Sequence, residues 1–527
     1  MAHATLSPAA PQPAHVPDAL VYDFDVHADP GLLADPHARI LNLLKTAPPV
    51  FWTPRNGGGW VALTHAANYE ASRDTETYSS EFVPADKMKA LLASLPPGAP
   101  HIPQPIPITL DPPEHTKYRQ PLQKVFSPKT IAALKDSIRE LAGELIDAIK
   151  ADGQCEFMST VAEPLPVQVF LKMLGLPLER LPEYRQIVKE HMEAIDTDRE
   201  GSMRRLQRIA AAMRDTVLER RDNPKDDIIS MLWKLEVDGQ PSTLADMENY
   251  GVLLFIAGLD TVMNGMGLAM RGLALDLPLQ AKLRAEPKLV AEAAEEMLRR
   301  YTFTVPMRVI KKPAELAGAK LMPGDMLKLF LPAADLDAKE FPQPDSYDLD
   351  RENNVHIAFG VGPHRCLGSH LARVELQVLY EEMLARLPEF RLDPAKPTVF
   401  HGGHVIGIES LNLVWDGKLN ITRCDDCGQF THPPREICRH CQSENVGPHA
   451  VVGTGAVDTY TINYQAWAKD MEVPFVIARV RLDDVPGVYL TTNIVNCPVD
   501  AVDMDDRVRV TFEEQDGIWF PLFEKVA

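Results

Sequence analysis

Cysteine is scarce, with seven in 527 residues, and four of the seven fall inside the single stretch Cys424 to Cys441. That distribution excludes the framework of a small disulfide-stapled secreted domain. Positive charge is in deficit as well: 54 Lys+Arg stand against 74 Asp+Glu, a formal net charge of -20. General affinity for nucleic acid or an anionic membrane needs clustered cations, so neither partner is expected. The deficit is shared along the chain, since residues 418 to 527 alone hold 10 Lys+Arg against 17 Asp+Glu. Also missing is any run of about 18 apolar residues of the kind that spans a bilayer. The first 20 residues lack the basic start and continuous apolar stretch of a secretory signal. A reducing cytoplasm is the expected compartment.

What is present is enough chain for two to four domains at roughly 100 to 200 residues each. From about 115 to 300 the apolar residues recur at three- and four-residue steps, as in TIAALKDSIRELAGELIDAIK, and predict helices. Short strand-like pieces flank them: GGWVALT at 58 to 64, pieces between 308 and 332, and LNLVW at 411 to 415. After Trp415 the helical period stops. PFVIARVRL, GVYLTTNIV and RVRVTFEE read as strands, and the junction WDGKLNITRC carries almost no flexible linker.

Two constellations carry chemistry. In the first, HIAFGVGPHRCLGSH (356 to 370), glycines surround Cys366 behind Phe359. Glycine lets backbone approach a flat cofactor closely, and a thiolate among inward-facing N–H groups can ligate iron as a strong electron donor. The run fits F-G-x-G-x-H-x-C-x-G at Phe359, Gly360, Gly362, His364, Cys366 and Gly368, and so resembles the cytochrome P450 family. AGLDT (Ala257 to Thr261) and EEMLR (295 to 299) match further motifs of that family, and the resemblance covers roughly residues 30 to 415.

The resemblance implies a mainly helical fold, haem b on Cys366, and insertion of one oxygen of O2 into a hydrophobic substrate. Asp260 and Thr261 would act as the proton-handling acid and alcohol, with Ala257 and Gly258 leaving room for dioxygen. His115, Arg119, Arg308 and His364 match positions that hold the haem propionates, and anionic propionates need such partners. Glu296 and Arg299 would be structural. Thr304, Val305, His404 and Val405 are candidate substrate contacts beneath a lid at 82 to 108. No flavin domain is visible, which implies a separate ferredoxin and ferredoxin reductase. Arg119, Arg365 and Arg373 are candidates for the docking face.

In the second constellation, CDDCGQFTHPPREICRHC, Cys424, Cys427, Cys438 and Cys441 form two C-x-x-C pairs ten residues apart. Four thiolates can hold zinc or a single iron; the short spacing and the strands that follow favour a closed structural zinc site. From about Gly417 to Ala527 the chain resembles a family that pairs a rubredoxin-like zinc ribbon with an OB-fold and accompanies thiolases and other acyl-CoA enzymes. That resemblance implies recruitment of a substrate carrier or protein partner. Tyr460, Tyr464 and Trp467 are expected to pack the barrel.

The fold expected is therefore multidomain: a flexible tail at 1–28, the P450-like body at 29–416, a zinc ribbon at 417–447 and an all-β OB-fold at 448–527. The alternative function is a peroxide-using or ligand-binding haem-thiolate protein whose tail is an interaction module. Substrates in view are terpenoid, steroid or aromatic, free or as a CoA thioester.

Overall fold

The computed structural model describes residues 5–83, 87, 101–150, 152–194, 201–259, 261–415, 419–467, 472–515 and 518–526. The chain divides into two compact units, Met1–Leu413 and Val414–Ala527.

The first unit is mainly helical. The sequence period over 130 to 150 becomes the helix Lys135–Lys150, which buries Ile138, Leu141, Ala142, Ile146 and Ile149 on one face, as an amphipathic stripe requires. The apolar stretch at 244 to 275 forms two helical segments, Leu244–Leu259 and Thr261–Leu275. By length and composition it could cross a membrane, with a mean hydropathy of 1.6, but 65% of that window is buried inside the protein. An apolar helix that is hydrophobic all round is what a central core helix looks like.

The helices are flanked by a five-stranded sheet. Its order is Val50–Thr53, Gly59–Ala62, Met326–Leu329, Met307–Ile310 and Tyr78–Ser79. The hairpin Val50–Thr53 to Gly59–Ala62 is fully buried, with Trp60 and Trp52 in the sheet's core. The strand Met307–Ile310 places Arg308 pairwise opposite Leu327. Of the lid expected at 82 to 108, residues 84–86 and 88–100 lie outside the described residues.

The second unit is all β. Asn420–Cys424 pairs antiparallel with Phe430–Thr431 and with Val446–Ala450, giving the small sheet of the ribbon. Five strands then close a barrel: Thr454–Asn463, Phe475–Leu482, Tyr489–Val495, Ile518–Lys525 and Arg507–Gln515 in order around it. Period-two burial is explicit in Phe475–Leu482, where Val476, Ala478, Val480 and Leu482 point inward. Leu419 and Ile421 of the ribbon join the same core as Val457, Ile494 and Phe523. Tyr460 packs partly against that core, but Tyr464 and Trp467 are 72% and 67% exposed. Both lie beyond Asn463, where the strand has ended and no inward-facing register remains.

Candidate haem-thiolate centre and four-cysteine site

The cysteine loop is a tight backbone structure. Gly360 N–H donates to Ile357 O at 2.7 Å, Arg365 N–H to Gly362 O at 3.1 Å, and Cys366 N–H to Phe359 O at 2.8 Å. Gly362 has φ +78, and a Cβ there would lie 2.7 Å from the Ser72 carbonyl oxygen, so only glycine fits. The helix Ser369–Arg386 starts directly after the loop, which puts its positive N-terminal end beside the thiol.

Cys366 is exposed by accessible surface, yet crowding by surrounding protein is the main influence on its thiol and pushes its pKa up. The sulfur is thus surrounded by protein while the residue keeps an exposed side. Gly368 N–H and the charges of Arg119, Arg373 and Arg365 work in the opposite direction, favouring thiolate.

The apolar helix Leu244–Leu259 is not buried along its whole length. Residues 251 to 255 are buried, whereas Ala257 is exposed. Thr261 Oγ1 donates to Ala257 O at 2.9 Å, and the Leu259 carbonyl accepts from Arg185 Nη1 at 2.9 Å. Arg185 is itself held by Glu163 at 2.5 Å. Gly258 plays a different part from the one expected. A Cβ there would come within 2.5 Å of the Phe170 ring, so the glycine admits the neighbouring helix Pro164–Leu174 rather than leaving free space. Asp260 lies outside the described residues.

His115 and Arg119, both on the helix Glu114–Val125, converge with Arg308 and His364 from two other segments. The His115 and His364 rings are 4.4 Å apart. Both ring nitrogens of buried His115, Nε2 of His364 and Nε of Arg308 are buried without a hydrogen-bond partner. Burial, with Arg119 beside it, lowers the His115 pKa to about 4; burial, with Arg308, His115 and Arg119 near, lowers that of His364 to about 3. Burial likewise pulls Arg308 down to about 10. Asp111, which acts the other way, is already held by Ser79, Ser80 and Lys311. Orphaned buried donors are costly, and this cluster asks for an anion. The residues fit haem: Cys366 would hold the iron, and His115, His364 and Arg308, with Arg119 beside them, would hold the propionates.

Glu296 and Arg299 form a fully buried bidentate pair at 2.9 and 3.0 Å. Arg299 also donates to the carbonyls of Asp335, Pro344 and Ser346, and Glu296 accepts from Arg351 and Asn354. Every lone pair and donor edge is used, which is what makes a buried ion pair tolerable.

Of the four substrate candidates, Thr304 and Val405 form an antiparallel bridge and Val305 N–H donates to His404 O at 2.8 Å. The Val305 side chain belongs to a hydrophobic core with Phe24, Phe51 and Phe330. The His404 ring packs edge-on against His27 at 5.8 Å. Sequence reasoning overlooked Glu163, Arg185, Asp111 and Glu375. Glu375 is 1% exposed with both oxygens unpaired, and burial lifts its pKa to about 8. A lone Glu within a helical period carries no signal that separates it from a surface residue.

At the other site, the four sulfurs of Cys424, Cys427, Cys438 and Cys441 lie within 4.8 Å of one another. The 3.6 Å Cys424–Cys441 and 3.5 Å Cys427–Cys438 separations are far beyond the ~2.05 Å of a disulfide. They approach the ~3.8 Å edge of a tetrahedron with Zn–S bonds of ~2.3 Å. The N–H groups of Cys441 and His440 lower the Cys438 pKa to about 6. The four thiols fit zinc and leave no ligand position open.

A thiol on a glycine-bent loop at a helix start, together with a cluster of buried, unpaired His and Arg nitrogens, fits a haem-thiolate oxygenase. Residues 133–404 match the family model described as Cytochrome P450, and the chain belongs to the cytochrome P450 family of monooxygenases. Residues 416–447 match "ChsH2, rubredoxin-like zinc ribbon domain", and 449–513 match "ChsH2, C-terminal OB-fold domain". The chain is 35% identical over 414 residues to the probable cytochrome P450 127A1 of Sinorhizobium fredii, covering 77% of this chain and 97% of the relative. It is 32% identical over 386 residues to a steroid C26-monooxygenase of Mycolicibacterium smegmatis, with 71% and 91% covered. Among solved structures it resembles CYP101J2 at 31% identity and TM-score 0.68, covering 77% of this chain and 100% of that one.

Proposed function

We propose that this P450 oxidises an unactivated C–H bond of a terpenoid, steroid or aromatic skeleton, presented free or as a CoA thioester, with electrons from a separate ferredoxin and its reductase. The observation that carries the proposal is the union on one chain of the Cys366 centre with a four-cysteine ribbon and barrel of the ChsH2 type. The relatives named as steroid C26-monooxygenases support a large apolar substrate. In this reading the second unit recruits the acyl carrier or the protein that bears it, in a reducing cytoplasm.

Bound on Cys366, haem supplies the reductive activation of dioxygen that puts one oxygen into the substrate and releases the other as water. Thr261 Oγ1 holds its proton on the Ala257 carbonyl at rest and turns it toward the recess when needed. Asp260, next in sequence, is the acid of the same proton-handling pair. Thr304 and Val405, bridged and half-buried, border the substrate, while His404 keeps its ring on His27.

The deciding experiment titrates the ferric spin state with free acids, neutral lipids and their CoA thioesters, using the full chain and a chain ending at residue 416. A preference for the thioester that disappears on truncation supports recruitment; equal affinity for both chains rejects it. Thr261→Ala is expected to lower product formed per O2 consumed by about tenfold or more. Full turnover on hydrogen peroxide alone, unaffected by that change, would sink the ferredoxin-fed reading.

A further inference from the structure

The face expected to receive an electron donor includes Arg373, four residues into the helix that follows the cysteine loop. Its side chain is committed inward. Nε donates to Glu295 Oε1 at 2.6 Å and Nη2 to Glu295 Oε2 at 3.0 Å, the parallel two-bond geometry that a guanidinium makes with a carboxylate. The flat face of the same guanidinium lies over the Phe359 ring, with Cζ 4.5 Å from its centroid. Phe359 is the residue whose carbonyl accepts the Cys366 N–H at 2.8 Å.

Glu295 is anchored a second time. His356 lies 3.1 Å from Glu295 Oε2 through Nε2, while its Nδ1 accepts the Ala358 N–H at 3.3 Å. That pairing assigns the ring proton to Nε2, so His356 donates to Glu295 without needing a positive charge. The His356 ring is also 6.3 Å from the Phe359 ring. Two of the ring's neighbours, Arg373 and His356, are therefore tied to one carboxylate on the helix Val290–Arg300.

We infer that Arg373 is a positioning residue for the thiolate: Glu295 and His356 hold its guanidinium against Phe359, and the clamped ring fixes the loop segment that hydrogen-bonds the Cys366 backbone. Cation–π stacking over a partly desolvated ring favours one ring position over others. A fixed ring limits access of water and stray donors to the sulfur, and hydrogen bonding and solvent exposure at the axial ligand set the potential of the iron. A docking cation would instead leave its donor edges free for an acidic partner.

The test uses the haem-loaded full chain and compares Arg373→Lys, Glu295→Gln and Phe359→Leu. Lys keeps the charge but loses the paired N–H edge and the flat stack. Each change is expected to shift the ferric/ferrous potential upward. Each is also expected to raise severalfold the fraction of the ferrous–carbon monoxide complex that shows a protonated-thiol spectrum. Arg373→Lys combined with Phe359→Leu should add little to either change alone, because both act through the same ring. Should Arg373→Lys not retain haem, Glu295→Gln carries the same test with Arg373 intact. Unchanged potential and spectrum in these variants, with only a salt-sensitive slowing of electron delivery from ferredoxin, would overturn the proposal and return Arg373 to the docking face.

Discussion

The two cysteine sites in this chain solve opposite problems. Cys366 is a single exposed sulfur on a glycine-bent loop, dependent for its surroundings on residues as distant as Arg119. Cys424, Cys427, Cys438 and Cys441 sit within one short segment and satisfy one another as a closed cage. An open site does chemistry because one position is left for a reactant, while a closed one gives its binding energy to folding. The difference also separates what each site needs: the cage is local, and the haem centre is assembled by the whole body.

Breaking the open site is expected to have the largest effect. Cys366→Ser should abolish monooxygenation while metal analysis still finds about one zinc per chain, consistent with a closed four-thiolate shell. Loss of zinc from that variant would break the comparison. Next comes the cage: Cys438→Ser, or a strong chelator, should unfold the ribbon, since structural zinc contributes about 10 to 16 kcal/mol of apparent binding energy in small ribbons. Ferrous–carbon monoxide spectra should be unchanged by it.

A smaller effect is expected at the cationic cradle. Arg308→Gln removes a buried guanidinium whose Nε has no partner in the protein; if it holds a propionate, the haem dissociation rate should rise about tenfold or more, the scale of a charged hydrogen bond of ~1.5 to 3 kcal/mol. Direct competition with apomyoglobin would measure it. The smallest is Glu375→Gln. The folded pKa of Glu375 is raised to about 8 by burial, so the acid is stable in its protonated form and destabilises the fold as pH rises from the ordinary Glu value toward 8. The substitution should leave melting unchanged near pH 4 and stabilise the protein by about 1 to 3 kcal/mol near pH 8. Equal melting profiles across that range would mean that the carboxyl finds a partner when it ionises.

Particular residues mark where sequence was legible. The Cys366 loop, the four-cysteine cage and the strand period of Phe475–Leu482 were all readable because each is a local pattern, complete within a few residues. Gly258 was misread because its reason is a long-range one: the ring of Phe170 takes the space where a Cβ would be. Tyr464 and Trp467 read as barrel-packing aromatics in sequence, yet they are exposed because the strand that would turn them inward ends at Asn463. Arg373 could be placed on a helix but not aimed, since the partners that turn it inward, Glu295 and Phe359, come from other elements.

By itself the sequence determined the ligand sets, the helical body and the barrel that follows, because thiolate spacing, glycine-dependent backbone and hydrophobic period are properties of neighbouring residues. Only the tertiary structure decided which charges are used up and which polar atoms are left buried without a partner. Burial and pairing depend on residues hundreds of positions apart, as between His115 and His364. That is why Glu296 and Arg299 prove to be fully paired inside the body, while both ring nitrogens of His115 and Nε of Arg308 stay without a partner.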